Sequence, residues 1–447
     1  MEICTVSGFE EVGKNMTAVK IGEDVILFDA GLYLPAIVQL QEQETRENLY
    51  SEKKLRSIGA LPHDEVLDKL GWRDKVRAIV IGHAHLDHVG AVPFVADRYP
   101  NAKIIATPFT MAVLDEITEN DKLTLRNNKI ILKENSSFFL KGKSGKYRIE
   151  FIHTTHSTIQ CVFVALHTSE GIFFYALDFK LDNFPVLGEP PNYRRLKELS
   201  KKVKVIVIDS LYSGTEKKTP SERIARDLLE DAFGSIHEKN SAIIITTFSS
   251  HIARLKSIVD FGKKTRRRIV FLGRSLNKYV RSAIKVNMCP FRKNIILLKY
   301  RNQINSFLKK AEKNRDKYLI VCTGHQGESG SILDRIVKDE TPLKLKHGDN
   351  VIFSSSVIPA PVNISSREKM DSKLRKKGVR IQTDVHVSGH PGREDLRDLV
   401  EILKPKHIIP SHGSHQQITP MIELASELGY KTGESAHLSS NGKVLKF

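Results

Sequence analysis

Three imidazoles and a carboxylate fall within six residues, at His83, His85, Asp87 and His88. Histidines one residue apart point the same way from an extended loop, and a tight turn after them aims Asp87 and His88 at a neighbouring point. That arrangement suits two metal ions rather than one. Nitrogen and oxygen donors without thiolate favour zinc, although ligand type alone also admits manganese or iron. Three later residues complete a shell: His156, Asp178 and His412 each closely follow an apolar stretch, as the first cluster does. Taken singly, each reads as an ordinary polar turn residue; their force lies in acting as a set.

The elements that deliver these groups are legible from periodicity. Short apolar runs at 18–21 and 25–28 read as strands ending at Asp29-Ala30-Gly31, where glycine permits a turn. The polar stretch 39–75 reads as a surface helical excursion. A buried strand at 78–81 carries the histidine loop, and further strands are expected at 103–106, 148–153, 162–166 and 172–176. From residue 204 the pattern changes, because β-branched apolar runs now alternate with charged amphipathic segments. Runs at 205–208, 242–246 and 269–272 precede helical patterns at 221–233, 252–261 and 275–286, and the run at 318–322 follows a helical pattern at 303–313. Strand and helix in turn predict an inserted parallel α/β unit. Runs at 351–355 and 406–409, and the tail, read as a return to short strands. The expected boundaries are 1–209 and 351–447 for one domain and 210–350 for the insertion. No internal repeat or low-complexity linker separates them, which predicts a docked insertion rather than a tethered one.

A chain of 447 residues exceeds one ordinary core. Lys plus Arg number 70 against 52 acidic residues, a formal net charge of +18 that attracts polyanions. Basic clusters at Lys263, Lys264, Arg266, Arg267 and Arg268, and at Lys373, Arg375, Lys376 and Lys377, lean the same way. Cys4, Cys161, Cys289 and Cys322 are scattered singly and frame neither a zinc knuckle nor a disulfide scaffold. The absence of a long apolar run and of a signal-peptide layout predicts a cytoplasmic protein that meets no membrane.

The run His83-x-His85-x-Asp87-His88 resembles the signature of the metallo-β-lactamase superfamily, with Asp29, His156, Asp178 and His412 in the order of its other motifs. The resemblance implies an αββα sandwich and two zinc ions. His83, His85 and His156 would hold one, Asp87, His88 and His412 the other, Asp178 would bridge them, and Asp29 would support the ligand loop. Asp209-Ser210, the α/β insertion and His386-Val387-Ser388-Gly389-His390 resemble the β-CASP family, whose members cut nucleic acids. Closer still to the ribonuclease J family are the strings at 10–16, 246–251 (Thr246-Thr247-Phe248-Ser249-Ser250-His251), 273–275 and 323–328 (Thr323-Gly324-His325-Gln326-Gly327-Glu328). The excursion at 39–75 departs from the bacterial pattern. So does the end of the chain soon after His412, without a separate carboxy-terminal domain, and this compact form resembles the archaeal branch. It leaves the pairing of two chains open.

On this reading a hydroxide between the two zinc ions attacks the scissile phosphorus of single-stranded RNA. His390 protonates the leaving 3′-oxygen, with Asp209 orienting it, while His386, Ser388 and Gly389 grip the adjacent phosphate; His386 as the acid is the alternative assignment. Thr247, Ser249 and His251 on one loop and Thr323, Gly324, His325 and Gly327 on another form a candidate pocket for a 5′-phosphate. The expected activity is 5′-to-3′ trimming of 5′-monophosphorylated RNA to mononucleotides. A β-CASP endoribonuclease shares every metal residue and is the main rival. A glyoxalase-like thioesterase fits the charge and the insertion poorly, and a nucleic-acid-binding protein with a vestigial metal site fits the full ligand set poorly.

Overall fold

The structure, a computed structural model, describes residues 1–37, 51–236, 238, 240–358 and 361–447. It comprises two compact units: Met1–Asn183, Glu189–Thr219 and Gly389–Phe447 form the first, and Phe184–Gly188 with Pro220–Ser388 the second. Part of the helical excursion, 39–50, lies outside the described residues; the remainder holds the short helices Glu52–Ser57 and Val66–Lys69. Among the described residues no helix is long and apolar enough to cross a membrane.

The first unit is a sandwich of two sheets. One contains β1 (Glu2–Ser7), β2 (Met16–Ile21), β3 (Asp24–Phe28), β4 (Val76–Val80), β5 (Lys103–Ala106) and β6 (Lys129–Ile131), in that order across the sheet. The other runs from β7 (Ser136–Lys141) through β8 (Lys146–His153), β9 (Val162–Thr168) and β10 (Gly171–Ala176) to β11 (Val203–Asp209).

Alternation along a strand explains how one sheet serves two cores. On β10, Phe173 and Tyr175 face the other sheet, packing with Phe28, Val80, Phe151 and Val164, while Phe174 and Ala176 face a helical layer with Leu396, Leu399, Met421 and Leu424. Each large apolar side chain so buried contributes roughly 1.5–3 kcal/mol relative to exposure. That helical layer comprises Arg393–Leu403, a stretch given no element above, and His415–Glu427, which lies in the tail read above as short strands.

The second unit is one parallel sheet: β12 (Ile243–Thr246), β13 (Arg268–Leu272), β14 (Ile295–Leu298), β15 (Tyr318–Cys322), β16 (Asn350–Phe353) and β17 (Arg380–Gln382). Across the sheet the order is β14, β13, β15, β12, β16, β17, every neighbouring pair parallel. Its connecting helices include α1 (Glu222–Gly234), α2 (Ile252–Lys264), α3 (Arg274–Lys285) and α4 (Arg301–Lys313). The chain then returns to the first unit, where β18 (His407–Ser411) lies parallel to β11 and β19 (Lys443–Lys446) antiparallel to β1.

The inserted sheet reaches further than the expected limit of 350. β16 pairs with β12, Ile243 opposite Asn350, so the run at 351–355 continues this sheet instead of rejoining the sandwich. The unit ends within the His386–His390 motif, after Ser388.

Candidate active site

The candidate ligands of the first unit, and Asp29, lie beyond the carboxyl ends of strands. Past β4, Ile81 and Gly82 lead to His83, and His85 precedes the single turn Leu86–Val89 that carries Asp87 and His88. Asp29, Asp178 and His412 follow β3, β10 and β18, all three with left-handed backbone, φ 59°, 53° and 67°. Such conformations cost residues with side chains on the order of 1–3 kcal/mol and persist where the surroundings fix them. Here the strands behind them do so, and the turn aims each side chain back across the strand ends. Gly31 shows how tightly the loops meet: a Cβ there would lie 1.6 Å from the Asp87 carbonyl oxygen.

Among the groups of candidate ligands, His83, His85, His156 and Asp178 form one and Asp87, His88, Asp178 and His412 another, with the ligand atoms of each group within 4.8 Å of one another; Asp178, Asp209 and His390 also cluster. Asp178 belongs to all three. In the first group His85 Nδ1 is 3.0 Å from His83 Nε2 and 3.0 Å from His156 Nε2. His156 Nδ1 donates to the Gly389 carbonyl at 2.7 Å, which leaves its Nε2 as a lone pair. One proton on His85 cannot serve two facing nitrogens, whereas one cation can. Ligands 2.0–2.1 Å from a tetrahedral ion stand roughly 3.3 Å apart, close to what is seen. In the second group His88 Nε2 is 3.1 Å from Asp178 Oδ2 and 3.7 Å from Asp87 Oδ2, and its Nδ1 donates to Asp29 Oδ2 at 2.7 Å. Asp29 also accepts from the Gly82 N–H at 2.9 Å, tying the ligand loop to β3. These residues fit a metal centre.

Burial and mutual repulsion hold the imidazoles of His83 and His156 well below their usual pKa, and burial brings His85 down to about 4, leaving all three in the neutral form a cation binds. His88 differs. Burial opposes its charge, yet Asp178, Asp87 and Asp29 outweigh burial and raise it. Asp178 stays ionised in spite of burial because His412, His88 and His390 surround it.

The two histidines of the 386–390 motif have opposite partners. His390, in the first unit, donates from Nδ1 to Asp209 Oδ2 at 2.8 Å. Burial works against its charge, but Asp209 and Asp178 prevail and raise it to about 9. His386, in the second unit, has its Nδ1 3.2 Å from Nη1 of Arg254. Arginine has no acceptor, so Nδ1 must be the bare nitrogen and Nε2 carries the proton. Arg254 is wholly buried, forked onto Glu222 at 2.5 and 2.9 Å and donating to the carbonyls of Ser354 and Val385. The Gly389 carbonyl is engaged by His156, and a Cβ at Gly389 would lie 2.9 Å from the His156 ring. Ser388 belongs to the second unit.

In the second unit the chain leaves β12 toward β13 and leaves β15 toward β16, in opposite directions across the sheet. A crevice at the carboxyl ends of such neighbouring strands is where parallel sheets bind ligands. The loops 247–251 and 323–327 follow β12 and β15 at that end, and buried groups there lack a partner: Ser249 Oγ, Thr246 Oγ1, Ser355 Oγ and both ring nitrogens of His325. Burial lowers the pKa of His325, whose ring stands edge-on to Phe248. Thr247 and His251 are engaged otherwise: the Thr247 hydroxyl donates to the Ser354 carbonyl, and the His251 ring meets Glu222 and caps α2. Gly324 and Gly327 have φ of +122° and +77°, so the turn itself requires them.

Two residues without an assigned role complete the picture. Asn15 Oδ1 accepts from His412 Nδ1 at 3.0 Å, and its Nδ2 lies 3.0 Å from the Asp87 carbonyl and 3.1 Å from His88 Nε2. It joins two ligands from opposite ends of the chain. Arg254 does the equivalent for His386. Both lie in or beside strings quoted above, but neither is a ligand or acid–base type, and only their distant partners reveal them.

Known proteins resemble this chain along its length. Family models match residues 10–164 (metallo-beta-lactamase superfamily), 240–369 (ribonuclease J, beta-CASP domain) and 378–433 (Zn-dependent metallo-hydrolase RNA specificity domain). Over its full length the chain is 40% identical to ribonuclease J of Methanocaldococcus jannaschii, covering 99% of that protein, and 40% identical to ribonuclease J of Pyrococcus abyssi, covering 97%. Ribonuclease J 1 of Streptococcus pyogenes is 29% identical, with 74% of its length matched. A solved structure of a protein of unknown function from Enterococcus faecalis has the same fold, with TM-score 0.63, 16% identity and 99% of each chain covered.

Proposed function

The chain belongs to the ribonuclease J family, and from that premise we propose that it removes mononucleotides from the 5′ end of 5′-monophosphorylated single-stranded RNA, using two zinc ions. It is a hydrolytic nuclease with a metal cofactor. The observation that carries the reading is the gathering of His83, His85, His156, Asp87, His88 and His412 into two sets that share Asp178. Imidazole nitrogens joined by one carboxylate in the first set, with no thiolate in either set, favour zinc. When bound, the cations lower the pKa of a water toward neutrality and offset charge on the phosphate oxygens.

The chain's own groups then divide the remaining work. The leaving 3′-oxygen needs a proton, and His390, oriented by Asp209 through Nδ1, supplies it from Nε2. His386 is suited to a different task. With Nδ1 accepting from Arg254, its one proton sits on Nε2, and a neutral imidazole gives that proton up far too reluctantly to be an acid; it donates a hydrogen bond to a phosphate oxygen instead. Asp87, His88 and His412 would hold a second ion, and Asn15 and Asp29 fix their orientation.

Exonuclease polarity rests on the second unit's crevice, where Ser249 and His325 offer unused donors beside the amino end of α2, the setting an anion requires. Four unpaired buried thiols fit a cytoplasmic location. The deciding experiment compares 5′-labelled monophosphate RNA, its 5′-hydroxyl counterpart and a circular RNA, each with and without chelator. Mononucleotides from the monophosphate form alone, and none with chelator, are expected. Digestion of the circle would establish endonuclease action in its place, and cleavage unaffected by chelator would remove the metal mechanism.

A further inference from the structure

Charge in this chain is concentrated in one stretch. Between Asp260 and Glu312 there is no acidic residue and there are fifteen Lys and Arg, so this segment supplies most of the net charge of +18. It is the edge of the second unit's sheet: the end of α2, then β13, α3, the outermost strand β14 and most of α4. Arg267 is turned inward onto carbonyls of Ser241, Arg315 and Tyr318, and Lys264 pairs with Glu230; neither is counted on below.

The pattern on α3 is specific. Arg274, Lys278, Arg281 and Lys285 recur at intervals of four, three and four residues, which at about 100° per residue confines them to an arc of roughly 60°. The opposite face, with Leu276, Tyr279, Val280 and Ala283, is buried. The stripe therefore points away from the sheet and runs some 16 Å along the helix, beginning at Arg274 immediately past the carboxyl end of β13. At the same end of the neighbouring strand, Lys299, Tyr300 and Arg301 follow β14, and the Tyr300 ring is 57% exposed. β13 pairs with β15, the strand that leads into the 323–327 loop. An exposed aromatic between cations, beside a ladder of cations, is the composition of a surface for single-stranded nucleic acid.

Resting on the ribonuclease reading, we propose that this edge is an anchoring surface for single-stranded RNA, holding the phosphates of the substrate body along α3 and stacking a base on Tyr300. It would set affinity by length and charge rather than by sequence.

The test measures binding by anisotropy in chelator, so that no cleavage is needed, using a 30-nucleotide unstructured RNA and a trinucleotide, both 5′-monophosphorylated. Replacing Arg274, Lys278, Arg281 and Lys285 together with Gln should weaken the 30-mer more than tenfold at moderate salt. It should also lower the log–log salt slope by about 3, at about 0.7 per phosphate contact on single strands, and leave the trinucleotide within twofold. Tyr300→Ala should cost about tenfold on the 30-mer and Tyr300→Phe should restore it. A control replacing Lys202, Lys404, Lys406 and Lys443, exposed in the first unit, with Gln removes the same charge. Equal weakening by the control would overturn the proposal in favour of net charge alone, and wild-type affinity in the edge variant would overturn it in favour of a solvated face or an acidic protein partner. Should the quadruple variant misfold, photocrosslinking of 4-thiouridine RNA to the wild-type protein decides, with adducts expected at 274–301 and adducts confined to other segments overturning the idea. A protein that binds RNA through this edge yet cleaves none with added metal would keep this inference and remove the ribonuclease reading.

Discussion

Both units gather their polar groups at the carboxyl ends of parallel strands, and they make opposite sites of them. In the first, β3, β4, β10, β11 and β18 present Asp29, His83, Asp178, Asp209 and His412, carboxylates among imidazoles, a shell for cations. In the second, β12, β15 and β16 present Ser249, His325 and Ser355, neutral donors beside a helix amino end, a composition that suits an anion. The backbone solution is the same; side-chain charge alone decides which ligand sign each accepts. The 386–390 motif crosses from one unit to the other and repeats the contrast, His386 beside a guanidinium and His390 beside a carboxylate.

Removing the cation side of the contrast should have the largest effect. His85→Ala with Asp87→Ala is expected to lower cleavage by on the order of 10⁴-fold, as the product of two charge stabilisers worth about 10²–10³ each. Metal content by mass spectrometry should fall with it while RNA affinity in chelator holds. Retained metal and retained activity would erase the distinction between the two units.

The paired histidines come next. His390→Ala should cost about 10²–10⁴-fold on RNA. A phosphodiester with a nitrophenyl leaving group, which needs no proton, should recover most of that loss. His386→Ala, removing a hydrogen bond to phosphate, should lose about 10²–10³-fold on both substrates. Recovery of the His386 variant by the good leaving group would reverse the assignment of the acid.

Asn15→Ala tests whether the link between His412 and His88 matters to the ions; metal affinity should drop about 10–100-fold, and Asn15→Asp should behave differently from Ala because it adds charge beside the ligands. On the anion side, Ser249→Ala with His325→Ala should reduce the preference for 5′-monophosphate over 5′-hydroxyl RNA by about tenfold or more, as hydrogen bonds to a charged group are worth about 1.5–3 kcal/mol. Unchanged preference would leave the crevice without a ligand.

How much of this was readable beforehand follows the same division. The cation site was legible because His83 to His88 are crowded behind an apolar strand, and ligand types announce themselves. Alternating strand and helix predicted the inserted sheet, although β14 and β17 were not among the runs read as strands. The end of the insertion was misplaced because β16 reads locally like any strand, and only its pairing with β12 assigns it. Asn15 and Arg254 were invisible as functional residues for a related reason. Their chemistry is generic, and their meaning comes from His412, almost 400 positions away, and His386, 132 away. Thr247 and His251 were legible by type but are engaged by the Ser354 carbonyl and Glu222.

The smallest effect concerns stability, and it asks whether the units are energetically separate. Each buries a carboxylate against arginine: Glu150 with Arg195 and His167 in the first, Glu222 with Arg254 and His251 in the second. Burial alone would raise Glu150, but the hydrogen bonds from His167 and Arg195 bring it from 4.5 down to about 2. A depressed carboxylate gives stability that is complete above its unfolded value and is lost as pH falls through the folded one, here from about 4.5 to about 2. Trp72, the single tryptophan, is buried in the first unit and reports its unfolding alone. Urea unfolding followed at Trp72 should therefore lose stability between about pH 4.5 and pH 2 in the wild type, and Glu150→Gln should flatten that slope. Glu222→Gln should leave the slope at Trp72 unchanged. If both variants flatten it equally, the two units unfold as one, and the contrast drawn between them is chemical without being thermodynamic.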